Sequence, residues 1–292
     1  MVENMRHEMT DGHISVTVQA QGGELCSLRD AQAGELLWQA GPAWPRHAPV
    51  LFPIVGRLRD DTLRHNGRSY RLTQHGFARD RLFAWEERDG TSCRLVLEDD
   101  AATRSVFPFA FRLELRYAVA GGMLRVGYRV VNTGDTALPA SLGAHPAFCW
   151  PLAPGVAPEK HWLEFAVDEP ASVRRLQEGL LRPDPEPTPI RGRVLPLEPA
   201  LFATDALILD RPASRSLRYV APGAVELELG WEGFTQLGLW SRAGGAFLCI
   251  EPWYGMADPV GFDGEFTDKP GVMLVAPGKS WEVGWWVRVG VG

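Results

Sequence analysis

Short runs in which apolar and polar residues alternate recur along the whole chain, and they restrict its fold more than any other feature. The clearest are HISVTVQA, CRLVLE, FRLELRYAV, LRVGYRVVN, VELELG and WEVGWWVRV. β-Branched or aromatic residues stand at every second position of these runs, which is typical of strands with one buried face. Helical periodicity, by contrast, is hard to find. The pattern predicts an all-β protein.

The connections between these runs indicate how the strands pair. In RYAVAGGMLRVGYRVVNTGD, two alternating runs meet across Gly121-Gly122, which is typical of a β-hairpin. The chain has 31 glycines and 23 prolines that can separate further strands. We therefore predict a large antiparallel β-sandwich. Because all-β folds of this size often form one unit, we expect a single domain over residues 1–292.

The segment from Pro151 to Pro199 differs from the rest of the chain. Prolines are frequent in it, most densely in RPDPEPTPIRG. Proline has no amide hydrogen for a strand ladder, so we expect a long surface excursion here rather than central sheet. Such a loop can form the wall of a cleft, or it can be an inert connection.

Charge and hydropathy exclude several partners. A net charge of −6 and a pI near 5.7 leave no basic face for a nucleic acid. The first residues, MVENMRHEMTDG, lack the apolar core of a secretory signal. No apolar stretch approaches the roughly 20 residues that a membrane span needs. We expect a cytoplasmic protein that binds neither nucleic acid nor a membrane; its oligomeric state stays open.

Cysteine spacing indicates neither disulfides nor a zinc site. Cys26, Cys93, Cys149 and Cys249 are far apart and lie in apolar surroundings. A disulfide framework has a higher density of cysteines, and zinc sites have close pairs such as C-x-x-C. We therefore expect four buried thiols.

A glutamate ends one apolar segment. We expect a buried strand over Ala246–Glu251, opened by Gly244-Gly245 and closed by Pro252. Side chains alternate along a strand, so Glu251 shares a face with Phe247 and Cys249. Desolvation among such neighbours would raise the pKa of the carboxyl toward the range used in proton transfer. The alternative is that the strand ends here and Glu251 reaches solvent.

A histidine occupies a similar place in GAHPAF. Pro146 favours an extended conformation of His145, and the residues before it indicate the end of a strand, just past a sheet edge. This imidazole is either an acid–base group or a hydrogen-bonded structural residue.

Arginines and a second histidine stand near apolar runs as well. HGFAR contains His75 and Arg79, which can form one wall of a pocket, and APVLFPIVGRLRD places Arg57 after a run broken by proline. Guanidinium groups there can bind sugar or phosphate oxygens, or they can be surface charges on turns. The chain has 11 tryptophans, and Trp253 follows Glu251 closely. Aromatic faces stack on sugar rings while polar side chains bind hydroxyls, so this inventory suits a carbohydrate.

Two other classes of enzyme fit the residues less well. A metal enzyme built from His75, His145 and Glu251 would draw its ligands from three distant segments, without the short spacings that mark such sites. A glycosidase normally uses two carboxylates, and no second one stands out beside Glu251. We therefore predict neither a metal nor another cofactor.

Four motifs in order, PVLFPIVGR, HGFAR, GAHPAF and CIEPWYG, resemble those of the aldose 1-epimerase (galactose mutarotase-like) family. The similarity is greatest to its LacX-like branch. It extends from GGELCSLRD, which begins at Gly22, to PGKSWEV near the C-terminus. The resemblance implies a β-supersandwich. It also implies a cofactor-free enzyme that interconverts the α and β anomers of an aldose.

The resemblance assigns roles to individual residues. It implies that His145 protonates the ring oxygen, that Glu251 removes the proton of the anomeric hydroxyl, and that His75 holds and polarises the same end of the sugar. Arg57 and an aspartate before a late strand would bind hydroxyls. For that aspartate, TDALILD offers Asp205 as the best candidate, with Asp210 close by.

Two further residues are assigned to the sugar site, and two other functions stay open. Arg79 of the HGFAR motif and Trp253 are expected to contact the sugar. Mutual attraction is expected to keep Glu251 anionic and His145 protonated. The alternatives are a non-catalytic carbohydrate-binding protein on the same fold and a hexose-phosphate 1-epimerase. The phosphate enzyme would need basic groups at the pocket rim, and the candidates for these groups are Arg57, Arg59, Arg79 and Arg81.

Overall fold

A computed structural model describes residues 5–290 and is built from antiparallel sheets. The predicted domain over residues 1–292 extends beyond the described residues at both ends. The strands are β1 (Arg6–Thr10), β2 (Ile14–Gln19), β3 (Glu24–Asp30), β4 (Gly34–Glu35), β5 (Val50–Leu51), β6 (Thr62–His65), β7 (Arg68–Arg71), β8 (Ala84–Arg88), β9 (Ser92–Glu98), β10 (Phe111–Ala120), β11 (Met123–Asn132), β12 (Leu138–Ala140), β13 (Leu142–Ala144), β14 (Ala147–Cys149), β15 (Trp162–Phe165), β16 (Leu176–Gln177), β17 (Leu180–Leu181), β18 (Val194–Pro196), β19 (Leu207–Leu209), β20 (Ser216–Val220), β21 (Leu227–Glu232), β22 (Gln236–Trp240), β23 (Phe247–Tyr254), β24 (Met273–Val275) and β25 (Ser280–Val289).

In the part of the chain that the structure describes, helical structure is confined to short segments. One α-helix, α1, covers Ala101–Val106, and 3₁₀ turns cover Arg59–Asp61, Ala78–Asp80, Pro158–Lys160, Pro199–Phe202 and Phe266–Asp268. Within residues 5–290, none of these helices has the length or the apolar character to cross a bilayer.

Three sheets account for most of the strands. A nine-stranded sheet has the order β18-β15-β20-β21-β25-β11-β10-β9-β8, and a four-stranded sheet runs from β1 to β4. The third has the order β19-β22-β23-β13-β5, with β14 also paired to β23. Inward-facing side chains of all three sheets belong to one apolar core. The predicted antiparallel β-sandwich is confirmed.

Five of the six alternating runs identified in the sequence form strands of the nine-stranded sheet, and HISVTVQA forms β2 of the four-stranded sheet. In β10, Phe111, Leu113 and Leu115 are buried while the arginine and glutamate residues between them face outward. Burial of each large apolar side chain stabilises the fold by about 1.5–3 kcal/mol, so the sequence pattern selects the inner face. The predicted hairpin is confirmed: Gly121 and Gly122 connect β10 to β11 with φ of 58° and 72°, which glycine adopts readily.

The proline-rich segment is partly incorporated into this sheet, so the expectation of a surface excursion is wrong for β15. This strand lies between β18 and β20 and buries Leu163 and Phe165. Its four residues contain no proline, and so they can donate all their ladder hydrogen bonds. The expectation is confirmed for RPDPEPTPIRG, where the described chain forms isolated bridges but no strand.

The cysteines are free thiols, as expected, but the expected burial is confirmed for only three of the four. Cys26, Cys93 and Cys249 are buried, while Cys149 is half-buried. Burial raises the pKa of the Cys93 thiol to about 12, so this group stays protonated at neutral pH.

Candidate active site

One face of the β23 sheet packs on the main core and the other carries polar groups. Leu248 and Ile250 of β23 belong to the main core. Phe247, Cys249 and Glu251 point to the opposite face, as the alternation predicted. Strand β23 therefore carries a carboxylate at the centre of a sheet whose two faces are both covered.

Strand β23 does not end at Pro252, which corrects the prediction from the sequence. It continues to Tyr254, and Pro252 pairs with Leu237 of β22. The amide of Ile250 donates to Pro146 O at 3.2 Å, and the nitrogen of Pro252 faces the same side of the strand. The ladder is interrupted there, so the missing N–H of proline leaves no ladder bond unmade.

The interruption in the ladder also places His145. Strand β13 ends at Ala144 and β14 begins at Ala147, so His145 and Pro146 lie between two short strands that both pair with β23. The sequence had suggested a position just past a sheet edge, and this prediction is wrong. Because β13 lies between β5 and β23, the histidine is inside the sheet. The break frees the imidazole to turn toward Glu251.

His145 and Glu251 meet directly. The Nε2 atom of His145 lies 3.1 Å from Oε2 of Glu251, and the residues are only 7% and 1% exposed. Among the described residues, neither Glu251 Oε2 nor His145 Nδ1 has a partner with good hydrogen-bond geometry. Two functional atoms thus stand within proton-transfer distance, without other bonds that would hold them in one state.

Burial controls the charge state of this pair. Desolvation raises the pKa of Glu251 well above its ordinary value, and the charge of Asp205 adds to the effect. Desolvation lowers the pKa of His145 to about 3, with a further contribution from Arg79 and Arg46. Both directions favour the neutral groups, whereas the mutual attraction considered from the sequence favours a carboxylate and an imidazolium. In either arrangement the two side chains share one proton.

His75 lies beside this pair in a left-handed backbone conformation. Its φ is 66°, and its ring centre is 5.7 Å from that of His145. The amide of Gly56 donates to its Nδ1 at 3.1 Å. Burial lowers the pKa of His75 well below its ordinary value, so the ring is neutral. An acceptor at Nδ1 requires the proton to be on Nε2, which lies 3.3 Å from the side-chain amide of Gln74.

Trp253 lies across the sheet next to Glu251. A methyl group added to Gly238 would overlap its indole, and one added to Gly143 would approach the indole to 2.7 Å. These glycines on the two neighbouring strands leave room for the ring to lie flat. Its indole N–H lowers the pKa of Glu251, although it lacks the geometry of a full hydrogen bond. The predicted contact residue therefore adjoins the carboxyl.

The structure distinguishes the two candidate aspartates. Asp205 is exposed, and its charge raises the pKa of Glu251, so the two carboxyl groups lie within electrostatic range. A left-handed backbone with φ of 78° turns the chain here just before β19. Asp210 follows the other end of that strand. The geometry favours Asp205.

The arginines predicted for the site are not equivalent. Arg79 lowers the pKa of both His75 and His145, so its positive charge is close to the two rings. Its Nη2 donates to Gln74 O at 2.7 Å. The guanidinium of Arg57 instead bonds Asp61 at 2.9 Å, and no pKa effect connects it to the pair within the described residues. The structure thus groups Arg79, and not Arg57, with the histidines.

Three site residues were missed by the sequence interpretation. Trp44 stacks on the His145 ring with centres 4.9 Å apart, and Trp240 meets its edge at 5.8 Å. Arg46 adds a positive charge and is held by Asp80 at 2.8 Å. In GPAWPRH, Trp44 directly precedes a proline, as His145 does in GAHPAF. That shared feature was the available signal.

A possible ligand set for a metal differs from the one considered from the sequence. His145, Cys249 and Glu251 each offer one ligand atom, and these atoms lie within 4.8 Å of one another. Cys249 takes the place that His75 had in the earlier hypothesis. Its thiol is fully buried, and desolvation raises its pKa well above the ordinary value.

The model of the aldose 1-epimerase family matches residues 5–266. The chromosomal LacX protein of Lactococcus lactis subsp. lactis is 33% identical over 285 residues, covering 94% of this chain and 95% of that protein. The chain belongs to the aldose 1-epimerase family. The plasmid-encoded LacX of the same bacterium gives the same identity and coverage. The predicted resemblance, including its LacX-like branch, is confirmed.

Solved structures with similar sequences have the same fold. A galactose mutarotase related enzyme from Lactobacillus acidophilus superposes with a TM-score of 0.90 at 31% identity, covering 98% of this chain and 97% of that one. A galactose mutarotase-like protein from Lactobacillus casei also has a TM-score of 0.90, at 26% identity and with 97% and 99% coverage. The architecture thus extends over nearly the whole length of both proteins.

Proposed function

We propose that this member of the family interconverts the α and β anomers of an aldose by acid–base ring opening and closure, without a cofactor. The observation that carries the proposal is the contact between His145 Nε2 and Glu251 Oε2 at 3.1 Å, in a site where the two side chains are nearly buried. The anomeric hydroxyl and the ring oxygen are bonded to the same carbon. A pair of adjacent groups can therefore reach both oxygens at once.

The shared proton accounts for the chemistry. The shared proton first moves from Glu251 to His145, which leaves Glu251 as the carboxylate. In ring opening, Glu251 then takes the proton of the anomeric hydroxyl while His145 gives its proton to the ring oxygen. The bond between C1 and the ring oxygen breaks, and its electrons stay on that oxygen as the aldehyde forms. Closure on the other carbonyl face reverses both transfers and returns the pair to its starting state. Each positioned group contributes about 10²–10⁴-fold to the rate.

Burial assists the intermediate step of this cycle. After ring opening, the proton is on Glu251 and His145 is neutral. The raised pKa of Glu251 and the lowered pKa of His145 favour this same arrangement. The site therefore stabilises the state that accompanies the open-chain aldehyde. Because the pair holds one proton in every state, no exchange with solvent is needed.

Neighbouring groups complete the site. His75 offers an N–H at Nε2 beside His145, and Arg79 offers a guanidinium whose Nε is buried without a hydrogen-bond partner among residues 5–290. Asp205 supplies an exposed acceptor near Glu251, and Trp253 supplies a flat aromatic surface. These are donors, an acceptor and a stacking surface for sugar hydroxyls and a ring face.

Polarimetry tests the proposal. Freshly dissolved α anomers of several aldoses and hexose phosphates are followed to equilibrium with wild-type protein, with His145→Asn and with buffer alone. We expect wild-type protein to accelerate at least one sugar and the variant to lose about 10²-fold or more. If only hexose phosphates respond, the substrate is a hexose phosphate. Binding of a sugar without acceleration would make the protein a carbohydrate-binding protein and would contradict the proposal.

A further inference from the structure

We propose that His145, Cys249 and Glu251 form a binding site for a thiophilic divalent cation such as Zn²⁺, and that the bound cation switches off the acid–base pair. The cation is an inhibitor in this proposal and takes no part in the reaction. Binding stands on the geometry alone, whereas inhibition rests on the proposed function.

The three ligand atoms come from one face of one sheet. Cys249 and Glu251 are two residues apart on β23, so their side chains point the same way, and His145 enters from the interrupted strand opposite them. The atoms lie within 4.8 Å of one another. Tetrahedral zinc with bonds of about 2.0–2.3 Å needs ligand atoms about 3.4–3.6 Å apart. Small rotations of the three side chains would bring the ligand atoms from within 4.8 Å to the separation that zinc needs.

Charge balance favours a divalent ion at this depth. A thiolate and a carboxylate together neutralise a 2+ charge, and the imidazole binds in its neutral form. On binding, the thiol of Cys249 and the carboxyl of Glu251 each release a proton to solvent. The site then has no net charge before or after binding, so little Born energy opposes the exchange.

The chemistry of the ligands selects the ion. Sulfur and imidazole nitrogen suit Zn²⁺ and its relatives, whereas Mg²⁺ and Ca²⁺ prefer sets of oxygen atoms. Three protein ligands leave a fourth position open, as in metal sites that exchange ligands. A bound ion would occupy Nε2 of His145 and the carboxylate of Glu251, which are the atoms that must carry the proton.

Cobalt provides a readout that does not depend on activity. Co²⁺ bound to a thiolate gives a sulfur-to-metal charge-transfer band in the near ultraviolet. We expect this band with wild-type protein, its loss on addition of Zn²⁺, and its absence with Cys249→Ala. Cys93→Ala is the matched control, because Cys93 is equally buried but lies on β9, in the nine-stranded sheet.

Mutarotation is then measured with and without Zn²⁺, each variant being compared with its own metal-free rate. We expect Zn²⁺ to slow both wild-type protein and Cys93→Ala. Cys249→Ala should need at least ~10-fold more Zn²⁺ for the same inhibition, and Mg²⁺ should have no effect on any of the three proteins. No thiolate band in wild-type protein, or a band that persists in Cys249→Ala, would overturn the metal site. A band in a protein without any mutarotation would support the site and remove the proposed function instead.

Discussion

Two buried glutamates, Glu24 and Glu251, show how the same side chain serves two different purposes. Glu24 is 6% exposed, and its carboxylate accepts the amides of His47 and Ala48 at 2.8 and 2.9 Å and the side chain of Gln19 at 3.0 Å. Glu251 is 1% exposed, and within the described residues its Oε2 has no such donor. Donors fix a buried carboxylate in a structural role, whereas their absence leaves it free to exchange a proton.

The two regions are also connected. The amides bound by Glu24 end the loop that carries Trp44 and Arg46 toward the ring of His145. The carbonyl of His47 accepts the amide of Ala147, so the same loop is attached to β14. Glu24 is therefore a positioning residue for one wall of the candidate site.

The largest expected effect is a difference in kcat between variants of the two glutamates. Glu251→Gln removes the proton acceptor at the anomeric hydroxyl, and we expect a loss of about 10²–10⁴-fold in kcat. Glu24→Gln should retain most of kcat and raise KM, because the loop of Trp44 loosens. Steady-state polarimetry on the responsive aldose measures both. Equal losses of kcat in the two variants would mean that Glu24 and Glu251 do not differ in their roles.

For stability we expect the opposite order, with the larger loss in Glu24→Gln. In Glu24→Gln, a neutral oxygen replaces the charged acceptor of the His47 and Ala48 amides, and the new amide nitrogen stands opposite the donor of Gln19. The charge-assisted bonds weaken, and a buried donor without an acceptor costs about 1–3 kcal/mol. We expect the free energy of unfolding to fall by about 2–4 kcal/mol, whereas Glu251→Gln changes it by less than about 1 kcal/mol. Urea denaturation gives both values, and a larger loss for Glu251→Gln would contradict this account.

The surroundings of Glu251 can be tested without touching a polar group. In Gly238→Ala, the added methyl overlaps the indole of Trp253, and we expect a loss of about 1–3 kcal/mol in the free energy of unfolding together with reduced activity. Gly127→Ala is the control, because no atom lies within 4 Å of a methyl added there. If both variants unfold at the wild-type urea concentration, Trp253 does not lie flat against Gly238.

The smallest effect should appear in the pH profile. The pair is active with one proton, so the rate should be constant across neutral pH. It should fall toward pH 3, where His145 takes up a second proton, and again above the raised pKa of Glu251. In Asp205→Asn, a charge that raises the pKa of Glu251 is lost, so the alkaline limb should move to lower pH by about 1 unit or less. The acid limb should not move.

Asp210→Asn is the control for this shift and should leave both limbs in place. A shift in Asp210→Asn but not in Asp205→Asn would reverse the choice between the two aspartates.

Periodicity in the sequence was sufficient to predict the fold, the Gly121-Gly122 hairpin and the shared face of Cys249 and Glu251. These features depend on local geometry, because side chains alternate along any strand and apolar ones face inward. Motif order was sufficient to identify the family. The continuation of β23 through Pro252 was missed, since it depends on the gap in the ladder on the neighbouring strands.

The amino-acid sequence by itself determined which residue types stand at strand positions and which of them face the same way. Only the tertiary structure decided that His145 touches Glu251, that Trp44 covers the imidazole and that Arg57 turns toward Asp61. It also shifts the pKa of both groups toward their neutral forms, because residues far away in the chain exclude water from the pair. Strand pairing determines which side chains meet across a sheet. The paired strands β13 and β23 are far apart in the sequence, and their separation along the chain does not reveal how close they lie in space.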